Sequence, residues 1–307
     1  MINGVKKKIV LLSGPTASGK SNFAYKVAKK INGEIINADS IQIYKDLKIL
    51  TARPNIKDSD PVHHLYGFLG GEEVWSVGQW IKVAKDISDK IIAKKMTPII
   101  VGGTGLYFKA ITEGLSPIPD IDPKIREEFI NLLKSKGINS LSKILKDLDP
   151  VAYKKIGSND QQRTLRALEV YKGTKKKISD FWKIKRVKLF NNEFKKINLT
   201  ISRDLLYEKC DKICEEMINQ GAIEEVKNLL EKKYKYNAPV MNAIGVKEIR
   251  QYLEKKIELI DAVNLIKYRT HQYAKRQITW SKHQMITWEG LSTQLSDKIV
   301  DNFIKKL

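Results

Sequence analysis

Four short apolar runs punctuate the chain, and between them apolar side chains recur at helical spacing. Residues 8–12 (Lys-Ile-Val-Leu-Leu), 34–38, 97–101 and 196–201 are the runs. Their length and near-continuous hydrophobicity read as strands of a parallel sheet buried between helices. A helix opens at Asn22. In 77–95, Val77, Trp80, Ile81, Ala84, Ile87, Ile91 and Ile92 fall on one helical face behind a capping Ser76, so that stripe is core. From 122 to 173 the pattern is helical throughout, with Pro123 at a helix start. Further helices are expected over 205–220, 222–232, 243–253 and 259–283. Residues 114–119 (Gly-Leu-Ser-Pro-Ile-Pro) form a linker by composition. This arrangement predicts an α/β core from residues 1–118 and 196–307, interrupted by an all-helical insertion over 119–195.

Candidate chemistry gathers at the expected strand ends. Gly14-Pro15-Thr16-Ala17-Ser18-Gly19-Lys20-Ser21 fits G-x-x-x-x-G-K-[ST], with a strand before it and a helix after it, the surroundings a phosphate-binding loop requires. Gly14 and Gly19 let backbone N–H groups converge on one anion, and the helix N-terminus adds partial positive charge. Lys20 supplies a point charge and Ser21 a hydroxyl for Mg²⁺. The fold class expected is therefore a P-loop NTPase-like parallel sheet with an all-helical insertion domain. The loop binds a di- or triphosphate, as nucleotide- and ATP-binding proteins do, but by itself it does not specify the reaction.

Asp39 ends the second strand, at the sheet edge where ligands bind in parallel α/β proteins. Its position suits a helix cap, a magnesium-shell carboxylate or a general base, and favours none of them. After the third strand comes Gly102-Gly103-Thr104-Gly105, where many nucleotide hydrolases carry a magnesium-binding acid. Glycines there call for close backbone approach instead.

Charge extends the picture. Lys and Arg number 56 against 35 Asp and Glu, a net charge of +21, which points to a polyanionic partner such as nucleic acid. Gln162, Arg163 and Arg166 can share one helical face, and 174–188 mixes many lysines with Phe181 and Trp182, a composition suited to RNA phosphates and exposed bases. Lys6-Lys7-Lys8 precedes too short an apolar run for a signal peptide, and no run approaches a membrane span. Cys210 and Cys214 read as buried or idle thiols, and His63-His64 lacks the companions of a metal site. A cytoplasmic monomer is the expectation.

Together, Gly14 to Ser21, Asp39-Ser40-Ile41-Gln42-Ile43-Tyr44, Thr51-Ala52-Arg53-Pro54, Val101-Gly102-Gly103-Thr104-Gly105-Leu106-Tyr107, Gly114-Leu115-Ser116-Pro117, Asn159-Asp160-Gln161-Gln162-Arg163, Ala243-Ile244-Gly245 and Lys275-Arg276-Gln277-Ile278-Thr279-Trp280 resemble the bacterial tRNA dimethylallyltransferases, over almost the whole chain and in order. The resemblance implies transfer of the dimethylallyl group of dimethylallyl diphosphate to N6 of the adenine just 3′ of the anticodon, position 37. It implies that the loop from Gly14 to Ser21 holds that diphosphate rather than ATP, and that Asp39 is the general base. Thr104 would lie at the reacting centre, Lys20 would stabilise the leaving diphosphate, and Ser21 would share Mg²⁺ with it. The tRNA contacts implied are Asp39, Ser40, Ile41, Gln42, Thr104, Arg126, Gln162, Arg163, Thr164, Leu165 and Arg166. Lys227 stands where some members carry a diphosphate-binding Arg, and Asn242 also replaces an Arg. A small-molecule kinase and a nucleotide-gated RNA-binding protein are the alternative readings of the same core.

Overall fold

The computed structural model describes residues 8–292 and 297–307, so Lys6 and Lys7 of the basic stretch before the first strand lie outside the described residues. The strands are β1 (Ile9–Ser13), β2 (Gly33–Asn37), β3 (His63–His64), β4 (Thr97–Gly102), β5 (Phe194–Thr200) and β6 (Glu289–Ser292). All pair in parallel, in the order β3-β2-β4-β1-β5-β6. β1 and β2 are buried along their whole length: β1 is apolar up to Ser13, whereas β2 buries Glu34 and Asn37, each satisfied by hydrogen bonds.

The helices are α1 (Lys20–Ile31), α2 (Val77–Ala93), α3 (Gly105–Glu113), α4 (Pro123–Leu148), α5 (Pro150–Ile156), α6 (Gln161–Thr174), α7 (Ile178–Phe181), α8 (Arg203–Asn219), α9 (Ala222–Glu231), α10 (Val246–Leu253), α11 (Leu259–Gln284) and α12 (Asp297–Ile304). Ser76 and Gln79 form a reciprocal capping box that starts α2. Gly137, with φ of 71°, breaks α4 into two segments.

Two compact units result: residues 1–112 with 189–307, and residues 113–188. The division falls several residues earlier than the expected 119–195 at both ends. Leu115 and Val187 exchange backbone hydrogen bonds of 3.0 and 2.8 Å, which ties the former linker into the helical unit. In the sheet-bearing unit, α1 and α12 cover one face, where Phe23 meets Phe303 at 5.5 Å between ring centroids. A second cluster joins the loop around Ile43, Leu47 and Leu50 to α8, α9, α10 and α11. The helical unit has its own core around Leu141, Leu145, Leu165, Leu168 and Phe181.

Three features depart from the sequence expectations. His63 and His64, expected in a loop, form a short edge strand beside β2. His64 Nε2 pairs at 2.6 Å with the buried Glu34, whose other oxygen accepts from Lys94 at 3.1 Å. β6 and α12 were not expected, because Glu289-Gly290-Leu291-Ser292 is too polar to signal a strand. The helix expected from Ala243 starts at Val246, because Gly245 adopts a φ of 102° that interrupts it.

Candidate functional site

The phosphate loop is formed by the left-handed turns its sequence permits. Gly19 has φ of 80° and Ala17 φ of 61°, while Ser18 N–H closes on Pro15 O at 3.3 Å. Ser18 is buried and its hydroxyl is without a hydrogen-bond partner, a polar atom held inside the loop. Lys20 begins α1, and its ammonium folds back to donate to Pro15 O at 3.2 Å. The first turn of α1 carries no acidic side chain to occupy its free N–H groups. The arrangement is an anion cradle of backbone dipole, hydroxyl and ammonium.

Asp39 follows β2 on a rigid turn. Asn37 Oδ1 accepts Asp39 N–H at 2.9 Å, and Asn37 Nδ2 donates to Asp39 O and Leu65 O. Asp39 Oδ1 accepts from Ile41 N–H at 2.9 Å and Gln42 N–H at 3.4 Å. One carboxylate oxygen is thus committed to the turn, which fixes the direction of the other. From the end of β4, Thr104 Oγ1 accepts Ser40 N–H at 3.0 Å, and Thr104 N–H donates to Ala38 O at 3.1 Å. A Cβ at Gly102 would fall on the backbone of Ala38, so the glycine permits this approach.

The phosphate loop after β1 and the turn after β2 share a cavity of about 540 Å³; Thr104 is not among its lining residues and meets it through Ser40. Thr16, Ala17, Gly19, Lys20 and Ser21 line one side, and Asp39, Ser40, Ile41 and Gln42 another. Gly14 and Pro15 shape the loop behind it: a Cβ at Gly14 would crowd the Ser18 hydroxyl and Leu199, and Pro15 O receives Lys20. Burial lowers the Lys20 pKa, and the charge of Asp39 and the thiol of Cys210 pull it partly back. The Lys20 effect places Asp39 within electrostatic range of the cradle. Two further tyrosines, Tyr66 and Tyr107, have phenols pushed well above their ordinary range, by burial first and by the Asp39 charge second.

Several residues that the sequence did not single out for this site also build it. Gln277 of α11 accepts Thr16 N–H at 2.8 Å and donates to Gly103 O at 3.1 Å. Tyr273 and Arg276, on the same helix, line the cavity. Cys210 and Cys214 are buried in its α8 wall, and burial pushes the Cys210 thiol up to about 12. Glu225 of α9 accepts the N–H groups of Lys48 and Ile49 on one oxygen, at 2.6 and 2.8 Å, and of Leu50 on the other at 2.9 Å. It thereby holds the segment whose Leu50, Thr51 and Ala52 face the cavity. Lys227, for which the resemblance implies diphosphate binding, is exposed, pairs with Glu224 at 3.7 Å and is not among the residues lining the cavity. At helical spacing Lys227 cannot share the direction of Glu225, and Glu225 faces the loop.

In the helical unit, Arg126 donates to the buried Glu169 at 2.8 Å and to Gln162 Oε1 at 3.2 Å, and Arg166 reaches the same Glu169 at 3.5 Å. Arg163 and Arg166 keep 68% and 44% of their side chains exposed. Thr164 and Leu165 do not join them. Both are buried, because α6 turns them toward the unit's core, so their side chains lie off the face that Arg163 and Arg166 present. Phe181 is likewise core, whereas Trp182 carries the ammonium of Lys155 4.6 Å from its ring centroid.

A divalent ion has a restricted choice here. Asp39 is the acidic side chain lining the cavity, and no group of three or more His, Cys, Asp or Glu side chains among the described residues could hold a metal. The Ser21 hydroxyl beside the anion cradle is the oxygen that would suit a Mg²⁺ carried in on phosphate oxygens. No helix among the described residues is long and apolar enough to cross a membrane.

Comparison with known proteins converges on one family. The family model described as IPP transferase matches residues 42–284, and one described as isopentenyl transferase matches residues 7–66. A tRNA dimethylallyltransferase of Pelagibacter ubique is 45% identical over 304 residues, which cover 98% of this chain and 96% of the relative. The crystal structure of the tRNA isopentenylpyrophosphate transferase of Bacillus halodurans superimposes with a TM-score of 0.70 at 31% identity, covering 98% of this chain and 96% of that one. A eukaryotic dimethylallyltransferase acting on tRNA superimposes with a TM-score of 0.77 at 28% identity, covering 94% of this chain and 74% of that one.

Proposed function

This chain belongs to the tRNA dimethylallyltransferase family and transfers a dimethylallyl group to tRNA, and we propose that the cavity between the phosphate loop and Asp39 is where it does so. The donor is dimethylallyl diphosphate and the acceptor is N6 of the adenine 3′ of the anticodon. The observation that carries the reading is that one cavity is lined by both an anion cradle and a fixed carboxylate.

The diphosphate is held by the backbone N–H groups of Ala17, Gly19, Lys20 and Ser21, the Ser18 hydroxyl and the Lys20 ammonium, while the Thr16 and Ser18 N–H groups are spent on Gln277 and Pro15 to shape the loop. These groups also meet the charge that grows on the leaving oxygen as the C–O bond breaks. Ser21 would hold Mg²⁺ together with the diphosphate, and when bound the ion neutralises charge on the leaving group. The adenine must leave its stack, because N6 cannot otherwise reach the sheet edge. Asp39 takes the N6 proton through the carboxylate oxygen not held by Ile41 and Gln42. Thr104 and Ser40, bonded to each other, orient the base, and the exposed Arg163 and Arg166 bind RNA phosphates.

The test is incubation with isotopically labelled dimethylallyl diphosphate, Mg²⁺ and an anticodon stem-loop. Label should enter the stem-loop with adenine 3′ of the anticodon and not the one with guanine there. Label elsewhere in full tRNA, or tight ATP binding with hydrolysis and no prenyl transfer at this site, would overturn the assignment.

A further inference from the structure

α11 directs one stripe of side chains at the phosphate-loop cavity. Ile266, Thr270 and Tyr273 line it, and Gln277, a turn further on, holds the loop itself. Their spacing of four, three and four residues keeps them on one helical face. Tyr273 is the one aromatic side chain among the described lining residues. The guanidinium of Arg276 lies 5.8 Å from the Tyr273 ring centroid, so the ring already has positive charge beside it. Asp39 is near enough that its charge, after burial, helps hold the phenol protonated far above the usual range.

The chemistry assigned to this cavity creates positive charge on carbon. As the donor's C1–O bond breaks, the electron pair leaves with the diphosphate, and C1 and C3 of the allyl group share the deficit. The N6 lone pair then forms the new bond to C1, and the N6 proton passes to Asp39. Lys20, which stabilises the leaving group, and Arg276, which lines the same cavity, both repel that carbon charge. A second carboxylate could offset it but could also capture the carbon. An aromatic face attracts a cation without forming a bond to it.

We propose that Tyr273 is a catalytic residue whose ring stabilises the allylic cation character of the prenyl group during transfer. The proposal rests on the site assignment made above. The ring is required rather than the hydroxyl, and the benefit falls on the transition state rather than on donor binding.

The experiment replaces Tyr273 with Phe, with Leu, and with mono-, di- and trifluorinated phenylalanines, which keep ring shape while draining the π face. Single-turnover transfer is measured at saturating donor and stem-loop, alongside the donor Kd and the thermal midpoint. Tyr273→Phe should stay within about threefold of the unsubstituted protein. Tyr273→Leu should be about 10- to 30-fold slower, and each added fluorine should slow transfer further, with donor Kd steady. A flat fluorine series, a Phe variant as slow as Leu, or a loss confined to donor affinity overturns the proposal. Because fluorinated rings are nearly isosteric, the series is readable even if the Leu variant folds poorly. Asp39→Asn and Lys20→Ala run in parallel. If both retain full activity, the site assignment falls and this role with it. If both are impaired while the series is flat, the role of Tyr273 alone falls.

Discussion

Gln277 accepts the backbone N–H of Thr16 at 2.8 Å, so a side chain near the end of a long C-terminal helix sets the phosphate loop. Its amide nitrogen meanwhile donates to Gly103 O, and the loop and the end of β4 cannot move independently. Each such bond contributes about 1 kcal/mol. Gln277→Ala should therefore weaken donor binding about 5- to 30-fold in calorimetric titration. Gln277→Glu should be worse, because it cannot donate to Gly103 and sets a negative charge beside the diphosphate. Unchanged donor affinity in both variants would show that the loop holds its shape unaided.

Asp39→Asn separates turn geometry from proton transfer. The amide oxygen can still accept from Ile41, so the turn should persist. The base is lost, and kcat should fall about 10²- to 10⁴-fold. Stem-loop affinity, followed by fluorescence anisotropy, should stay within about threefold. A variant with near-normal turnover would remove Asp39 from the chemistry.

Lys20 should leave a mark on the alkaline side of the pH profile. Burial lowers its pKa from the ordinary 10.5, against the opposing pull of Asp39 and Cys210. As pH rises through that lowered value, the free enzyme loses the ammonium that meets the diphosphate, and kcat/KM for the donor falls earlier than an unperturbed lysine would predict. The folding sign is opposite. Between the folded value and 10.5 the unfolded chain binds more protons, so without donor the Lys20 contribution to stability rises with pH. Lys20→Arg, charged throughout, should abolish the early alkaline limb. Its persistence in that variant would assign it to another group.

The phosphate loop is legible in the sequence because its glycines, lysine and flanking elements are local, and local geometry makes the site. The parallel core is legible for the same reason: β1 and β4 announce themselves by the apolar runs 9–12 and 98–101. Gln277, Tyr273 and Glu225 are not, because each acts through contacts that only the tertiary fold creates. Gln277 lies 261 positions from Thr16, and Glu225 lies 175 from Leu50. Thr164 and Leu165 show the converse. Their place within a basic motif implied RNA contact, but the helical period turns both inward while Arg163 and Arg166 stay outside. β6 escaped notice because an edge strand needs little hydrophobicity to pair.

Glu225 and Lys227 make a paired test of the α9 side of the cavity. Glu225→Ala removes the acceptor for three consecutive N–H groups and should cost about 1.5–3 kcal/mol in chemical denaturation. It should also raise KM for the donor, because Leu50, Thr51 and Ala52 lose their anchor. Glu225→Gln retains one acceptor oxygen and should recover part of both losses. Lys227→Ala, whose described contact is an exposed pair with Glu224, should leave donor KM within about twofold. A donor KM that responds to Lys227 and not to Glu225 would restore the diphosphate role implied by the family resemblance.

The last prediction concerns how the helical unit meets RNA. Arg163 and Arg166 stand one turn apart on α6, both largely exposed. Arg166 shares the buried Glu169 with Arg126, which in turn holds Gln162. Glu169 thus fixes the direction of two guanidinium groups while leaving their outer edges open to phosphate. Arg163→Ala and Arg166→Ala should each raise KM for tRNA several-fold, leave donor KM unchanged and make the salt dependence of stem-loop binding shallower, by about one unit of log–log slope per lost contact. Thr164→Val should not touch that slope. Its hydroxyl is fully buried with no partner, so the substitution removes an unsatisfied polar atom and should leave stability level or slightly raised. Glu169→Gln is the sharper control: Arg126 and Arg166 keep their charge but lose their shared carboxylate, so affinity should drop without the slope changing. Equal tRNA KM in all four variants would remove this face of α6 from the RNA interface. A drop with Thr164→Val alone would mean that the buried side of the helix, not its exposed side, carries the contact.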